Sequence, residues 1–214
     1  MTAVITYSRT QSVTYVADNI VKTLKDIIRG SGLDPSKLAG EYATYMRGIE
    51  TWLQTEHLRA ITLEIYNPST GNLIRRWDID VRYDWASGDA SFWMDTEQIK
   101  FALNKAGVAP SSAKYSIILD LKPGSPDVSG WGACTYRSTD GLVRQSLGST
   151  IEHNGLGASA SYGVTVALNI MIWTYFWELD ADQTALPLGL SVVLAVPPAL
   201  LSLGTISKFW PKHR

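Results

Sequence analysis

Arg76-Trp77-Asp78-Ile79-Asp80-Val81-Arg82-Tyr83-Asp84-Trp85 is the stretch that decides the fold class of this chain. Trp77, Ile79, Val81, Tyr83 and Trp85 fall on one face of an extended backbone, and Arg76, Asp78, Asp80, Arg82 and Asp84 fall on the other. A period of two with one apolar and one charged face fits a half-buried antiparallel strand with a solvent-facing outer side. The preceding segment repeats the pattern. Ile61, Leu63 and Ile65 alternate with Thr62 and Glu64, and Asn67-Pro68-Ser69-Thr70-Gly71-Asn72 supplies turn chemistry between the two runs. A further strand is expected at Tyr115–Leu121, before Lys122-Pro123-Gly124-Ser125-Pro126.

On either side of these strands the period becomes helical. Val13, Val16, Ile20, Leu24 and Ile27 recur at three- and four-residue intervals with Asp18, Lys22 and Lys25 between them, which predicts an amphipathic helix over 11–29. Gly30-Ser31-Gly32 stops it. After Asp34-Pro35 a second helix carries Leu38, Tyr42, Tyr45, Ile49 and Trp52 on one stripe. A third starts at Asp95-Thr96-Glu97-Gln98, with Asp95 as cap, and runs through Ile99, Phe101, Ala102 and Leu103 to Gly107. From about 127 to Tyr162 the chain is Gly/Ser/Thr-rich with scattered apolar residues and reads as extended structure or mobile loop. The whole describes a mixed α/β domain.

The 214 residues suit one domain plus an extension. With 19 Lys+Arg against 20 Asp+Glu there is no basic field of the kind nucleic-acid binding needs, and no direct nucleic-acid partner is expected. One cysteine, Cys134, excludes an internal disulfide framework and fits a reducing compartment. Met1–Tyr7 has neither a basic region nor a long apolar run, so it is no secretory signal.

The charge is unevenly spread, and residues 156–214 hold only six charged residues. Leu156–Trp177 is a run of 22 uncharged residues, and Ala185–Ser207 is a second of 23. At ~1.5 Å per residue each would reach about 33–35 Å as a helix, against a hydrocarbon core of roughly 30 Å. Trp173, Trp177 and Trp210 stand at the run ends, where amphipathic rings favour a membrane interface. The connecting loop holds Glu178, Asp180 and Asp182, and the far end holds Lys208, Lys212 and Arg214. The expectation is a domain over 1–160 and a transmembrane helical hairpin over 161–214, with both chain ends on the cytoplasmic side of an inner membrane and lipid as a partner. The competing reading is a buried helical hairpin in a larger soluble fold. Ser159, Ser161 and Asn169 make the first run polar, and Pro197-Pro198 interrupt the second.

No catalytic pattern emerges, no cofactor is expected, and the chain reads as a binding protein rather than an enzyme. His57, His153 and His213 sit in polar, loop-like or terminal settings, with no second His or Cys at metal-ligand spacing. Asp78 and Asp80 read as surface charges paired with Arg76 and Arg82. Gly155-Leu156-Gly157-Ala158-Ser159-Ala160 mimics a dinucleotide fingerprint but follows polar Glu152-His153-Asn154 instead of a buried strand.

Thr6-Tyr7-Ser8-Arg9-Thr10, leading into Tyr15-Val16-Ala17-Asp18-Asn19, resembles the start of bacterial HORMA-domain proteins of the second bacterial class. The likeness continues through Leu24–Arg29, Gly32-Leu33, Lys37-Leu38, Arg76-Trp77-Asp78, Arg82-Tyr83-Asp84, Lys122-Pro123-Gly124 and Gly155–Tyr162, covering about residues 4–162. It implies an α+β fold with helices packed on one face of a mainly antiparallel sheet, followed by a C-terminal "safety belt" that wraps a short peptide of a partner protein, the peptide adding a strand to the sheet. It also implies an anti-phage signalling system, in which the peptide-bound form activates a cyclic-oligonucleotide synthase and an AAA+ remodelling ATPase reopens the closed state by pulling on the N-terminus. Carried onto this chain, the belt is roughly 127–162, with Trp131, Tyr136, Leu142 and Val143 as its packing residues. The handle is residues 1–10, with Ile5, Tyr7 and Arg9. The 52 residues after Tyr162 depart from the family's usual length. They read either as an anchor or as a membrane effector whose hairpins oligomerise and breach the bilayer.

Overall fold

The computed structural model describes residues 8–85 and 92–165. Helix α1 (Arg9–Gly30) begins with a reciprocal cap: the Ser8 hydroxyl accepts the Gln11 N–H, and the Gln11 side chain accepts the Ser8 N–H. Its expected stripe, Val13, Val16, Ile20, Leu24 and Ile27, is buried. The second expected helix is two, α2 (Ser36–Gly40) and α3 (Tyr42–Gln54). The break at Glu41 leaves Tyr42 exposed, its hydroxyl donating to Asp18 at 2.8 Å, while Leu38, Tyr45, Ile49 and Trp52 stay in the core.

The strands are β1 (Leu58–Tyr66), β2 (Leu73–Tyr83), β3 (Trp93–Met94), β4 (Lys114–Leu121), β5 (Leu142–His153) and β6 (Leu156–Thr165). They form one sheet in the order β3-β5-β6-β2-β1-β4, antiparallel throughout. Helix α4 (Glu97–Ala106) connects β3 towards β4, and Asp95 accepts the Glu97 N–H at 2.9 Å at its start. Ile61, Leu63, Trp77, Ile79, Ile151, Ala158 and Ala160 join the buried residues of α1, α3 and α4 in a single core, so these helices lie on one face of the sheet. Small side chains at Ala158 and Ala160 face Val81 and Ile79 across the β2–β6 ladder, and Trp77 stacks on Tyr162 with ring centroids 4.9 Å apart.

The alternation read from 76–85 holds for its apolar half. Its polar half is corrected at Asp78. That carboxylate is 5 % exposed and accepts from the Thr62 hydroxyl and from Arg76 Nε, both at 2.8 Å. The outer face is covered there, so Asp78 is a buried acceptor, while Asp80 and Arg82 remain exposed. Arg75 departs in the other direction. It lies on the core side of β2 and donates to the carbonyls of Ala106 and Gly107 at 2.5 and 3.0 Å. A guanidinium there satisfies orphan carbonyls and meets the negative end of the α4 dipole.

Of the two forms expected for the Gly/Ser/Thr-rich segment, residues 142–165 take the extended one, as a long hairpin inside the sheet that contributes to the core, turning at Asn154-Gly155, both of positive φ. Leu147, Ile151, Leu156 and Tyr162 supply its buried side chains. His153, expected in a polar loop, is fully buried. Its Nδ1 lies 2.7 Å from the Ser12 hydroxyl, its ring stacks on Phe92 at 3.8 Å, and burial holds its pKa below the usual value. Because β6 runs to Thr165, the first uncharged run begins inside the sheet, and Val166–Trp177 leaves it 12 residues. The remainder of the expected hairpin, 166–214, lies outside the described residues. Among the described residues no helix is long and apolar enough to cross a membrane.

Ile79→Ala is expected to cost about 2–5 kcal/mol through lost burial and a cavity, and Asp80→Ala less than about 0.5 kcal/mol. Asp78→Ala should fall between them, near 1–3 kcal/mol, because it strands the Thr62 hydroxyl and Arg76. Urea unfolding of the three variants checks the register, and equal losses at 79 and 80 would refute it.

Candidate functional site

β4 pairs with β1 along one side only, so it is the sheet's edge at that end. Every second residue of an edge strand directs an N–H and a C=O outward, where they need a partner. After Leu121 the chain turns back and passes around this edge. Its first part lies against α3, on the helix side of the sheet. Trp52 Nε1 donates to the Pro126 carbonyl at 2.8 Å, Arg47 to the Ser129 carbonyl at 2.9 Å, and Trp131 Nε1 to the Thr44 carbonyl at 3.3 Å. The Trp131 ring meets Tyr45 and Trp52 edge-on, with centroids 5.4 and 5.5 Å away. Gly48 makes room for it: a Cβ there would stand 2.4 Å from the indole nitrogen.

The second part is fastened to the opposite face. Glu64, a lone acid in β1, is fully buried. Its Oε1 accepts the Arg137 backbone N–H at 3.0 Å, and its Oε2 pairs with Arg137 Nη1 at 2.5 Å. The same guanidinium donates to Ser116 of β4 at 2.9 Å and lies over the Tyr66 ring at 3.5 Å. Next to it Tyr136 lies under the Arg76 guanidinium, 4.3 Å from the ring centroid. Between the two fastenings, Gly132, Ala133, Cys134 and Thr135 cross the edge of β4 and make no hydrogen bond to any described residue.

A cavity of about 540 Å³ lies between this crossing segment and β4. Ile117, Leu119 and Leu121 with Trp52, Val128 and Trp131 line its helix side, and Ile118 with Tyr136 lines its outer side. Among the described residues, one wall is an unpaired strand edge and the other is backbone with unused donors and acceptors. The arrangement has the form of a slot for one extended chain.

The structure brings two of the four expected belt residues to this slot, Trp131 and Tyr136. Leu142 and Val143 are elsewhere. They open β5, paired with Thr165 and Val164 on the far side of β2, and Val143 is exposed. Arg9 is held against the α3–β1 turn, bonding Glu56 at 2.5 Å and the Gln54 carbonyl at 3.2 Å, and its guanidinium lies over Trp85. Ile5, Tyr7, Trp173, Trp177 and Trp210 lie outside the described residues. Sequence reasoning missed the Glu64–Arg137 pair. Its one trace was a single charge inside Ile61-Thr62-Leu63-Glu64-Ile65, which alternation assigned to solvent. Among the described residues no group of acids, His and Cys is placed to hold a metal ion.

A family model for bacterial HORMA domain 2 matches residues 1–165. Among solved structures, a chain of the mitotic checkpoint complex is 13 % identical with a TM-score of 0.55, covering 71 % of this chain and 99 % of that one. C. elegans HTP-2 bound to a HIM-3 closure motif is 9 % identical with a TM-score of 0.55, covering 77 % and 100 %. HTP-2 bound to an HTP-3 closure motif is 11 % identical with a TM-score of 0.53, covering 78 % and 96 %. At these identities the likeness is one of fold. No curated protein matches the chain in sequence.

Replacing Arg137 by Met should destabilise the domain by about 3 kcal/mol, the lower end for breaking a buried pair because the arginine is partly exposed. Adding Glu64→Gln to that variant should recover part of the loss, since no charge is then left buried alone. Urea unfolding of the two single variants and the double variant reads the coupling. Additive losses would mean that the pair does not hold the crossing segment.

Proposed function

The chain belongs to the bacterial HORMA domain 2 family, and from that premise we propose that it is a non-catalytic adaptor that closes around a short peptide of a partner protein. The observation that carries this is the slot between β4 and residues 132–135, bounded by backbone that lacks partners among the described residues on the crossing side and by a sheet edge on the other. A peptide inserted there as a strand satisfies both, which is β-strand addition with a strap over it. Two of the structures similar in fold are described as bound to closure motifs. The β5–β6 hairpin, docked on β2, leaves β4 open for the purpose.

The family resemblance extends the proposal to a signalling role. The peptide-bound form would regulate a cyclic-oligonucleotide synthase in anti-phage defence, and an AAA+ ATPase would reset it through residues 1–10. Arg9 ties the start of α1 to the α3–β1 turn, and Ser12 ties it to His153 at the hairpin turn. A pull on the N-terminus would therefore load the Arg9 contact with the α3–β1 turn first and then the Ser12–His153 contact at the hairpin turn.

Amide hydrogen exchange on the full chain tests the peptide reading. Residues 132–135 should exchange fast in the free chain and β5–β6 slowly, and peptides tiled from the partner proteins should protect both β4 and 132–135. Ala133→Trp, which fills the slot, should abolish that protection without changing the unfolding midpoint. Protection that survives Ala133→Trp would place the peptide elsewhere and defeat the proposal.

We also propose that the tail holds this domain at the cytoplasmic face of a membrane. The support is Ala185–Ser207, 23 uncharged residues followed by Phe209-Trp210 and basic residues. With β6 in the sheet, the 12 residues Val166–Trp177 would reach only about 18 Å as a helix, so the second run carries the spanning part of the proposal. The full chain should stay in the membrane pellet after carbonate extraction, and a chain ending at Thr165 should not enter it. Release by carbonate without detergent would end the spanning model.

A further inference from the structure

The slot has a chemical character of its own. Its lining includes two charged residues, Asp120 and Asp127, and no basic one. Asp120 pairs through one oxygen with Arg59 at 2.6 Å. Asp127 is exposed and has no ion pair among the described residues. Both acids come near the turn from β4 into the crossing segment, so negative charge gathers at one end of the slot.

The large side chains in the remainder of the lining are apolar or aromatic on both sides of the strand plane. In the β1–β4 register Ile117 and Leu119 stand opposite Leu63 and Ile61, on the helix side, and they meet the cavity beside Trp52, Val128 and Trp131. Ile118 stands opposite Thr62 on the outer side, where Tyr136 also borders the cavity. A strand laid against β4 directs alternate side chains to these two sides. In most exposed sheet edges one of the two would be water. Here both are greasy at the centre, and the charge is displaced to the end.

Resting on the peptide-capture reading above, we infer that the slot selects an extended segment with large apolar side chains at consecutive central positions and a lysine or arginine at the end that meets Asp120 and Asp127. A cation there gains from Asp127, which has no ion pair among the described residues, and from Asp120, whose charge Arg59 already partly offsets. An acidic residue at that position meets repulsion inside a partly enclosed cavity, which disfavours acidic partners more strongly than the surface charge alone would. Central side chains bury against Ile118 and Tyr136 on one side and Trp52 and Trp131 on the other, so polar residues there lose hydration without a partner.

A display library of random decapeptides panned against the full chain tests this directly. The expected result is enrichment of consecutive apolar residues with Lys or Arg at one constant end. An Asp120→Asn, Asp127→Asn chain, with an unchanged unfolding midpoint, should bind the enriched peptides about three- to tenfold more weakly. It should bind their Lys→Gln counterparts as the original chain does, and the difference should shrink in high salt. Enriched peptides that lack the basic end, or carry Asp or Glu there, would overturn the specificity while leaving peptide capture standing. Enrichment of no sequence, or binding that persists in Ala133→Trp, would overturn the capture reading and this inference with it.

Discussion

A sheet has two edges, and the hydrogen-bonding groups along each must meet something. In this fold that requirement is resolved by where the C-terminal hairpin docks. By pairing with β2, β6 makes β2 a central strand and pushes the near edge out to the two-residue β3. The far edge, β4, is left for the crossing segment to shield without pairing to it. The placement of the core follows from the same choice. Trp77 can be fully buried because Tyr162 stacks on it across the β2–β6 ladder, and α1 can sit close because Ala158 and Ala160 are small.

Around Glu64 and Asp78 the outer face of the sheet is a covered polar layer, while Asp80 and Arg82 on the same face stay solvated. Asp78 gathers Thr62 and Arg76 and has Arg144 within 3.6 Å, while Arg144 also donates to Ser161. Glu64 gathers Arg137 along with its backbone N–H. Such pairs add little net stability compared with apolar residues of the same shape, since taking charge out of water offsets much of the attraction. Their effect is on geometry. A buried carboxylate tolerates only the arrangement that satisfies it, so Glu64 fixes where residue 137 lies, and Asp78 helps fix the register of three strands. The helix side specifies that the domain folds, and the outer side specifies how its last third is arranged.

The apolar periodicities were legible because burial follows them closely. The α1 stripe, the two alternating strands and the Asn67–Asn72 turn can all be read from the sequence. What could not be read came from contacts distant along the chain. Leu156–Thr165 is uncharged and small-residued for the sake of a central strand, a composition that single-sequence reading could also assign to a membrane run. Glu64 and Asp78 occupy positions that alternation gives to water, and only the return of Arg137 and Arg144 from much later in the chain covers them. Tyr42 failed for a local reason, since a break at Glu41 rotates the helix out of its expected stripe. At the site, Trp131 and Tyr136 could be picked as large apolar residues in a polar stretch, whereas Leu142 and Val143 answered the same description and belong to β5.

The two-sided fastening of residues 126–137 has a kinetic meaning. A strap anchored on both faces of a sheet forms, with the edge it crosses, a ring around whatever lies in the slot. A guest leaves such a ring as soon as either fastening lets go, so its departure is governed by the weaker of the two, not by the sum of contacts the guest makes. If the Glu64–Arg137 pair is that fastening and its opening costs about 3 kcal/mol, the lifetime of the enclosed state is prolonged by roughly two orders of magnitude. Guests of quite different intrinsic affinity would then leave at nearly one common rate, set by the host. Such a device measures time rather than concentration: once shut, it holds its state after the free guest has been depleted, until work is done on the chain to open it.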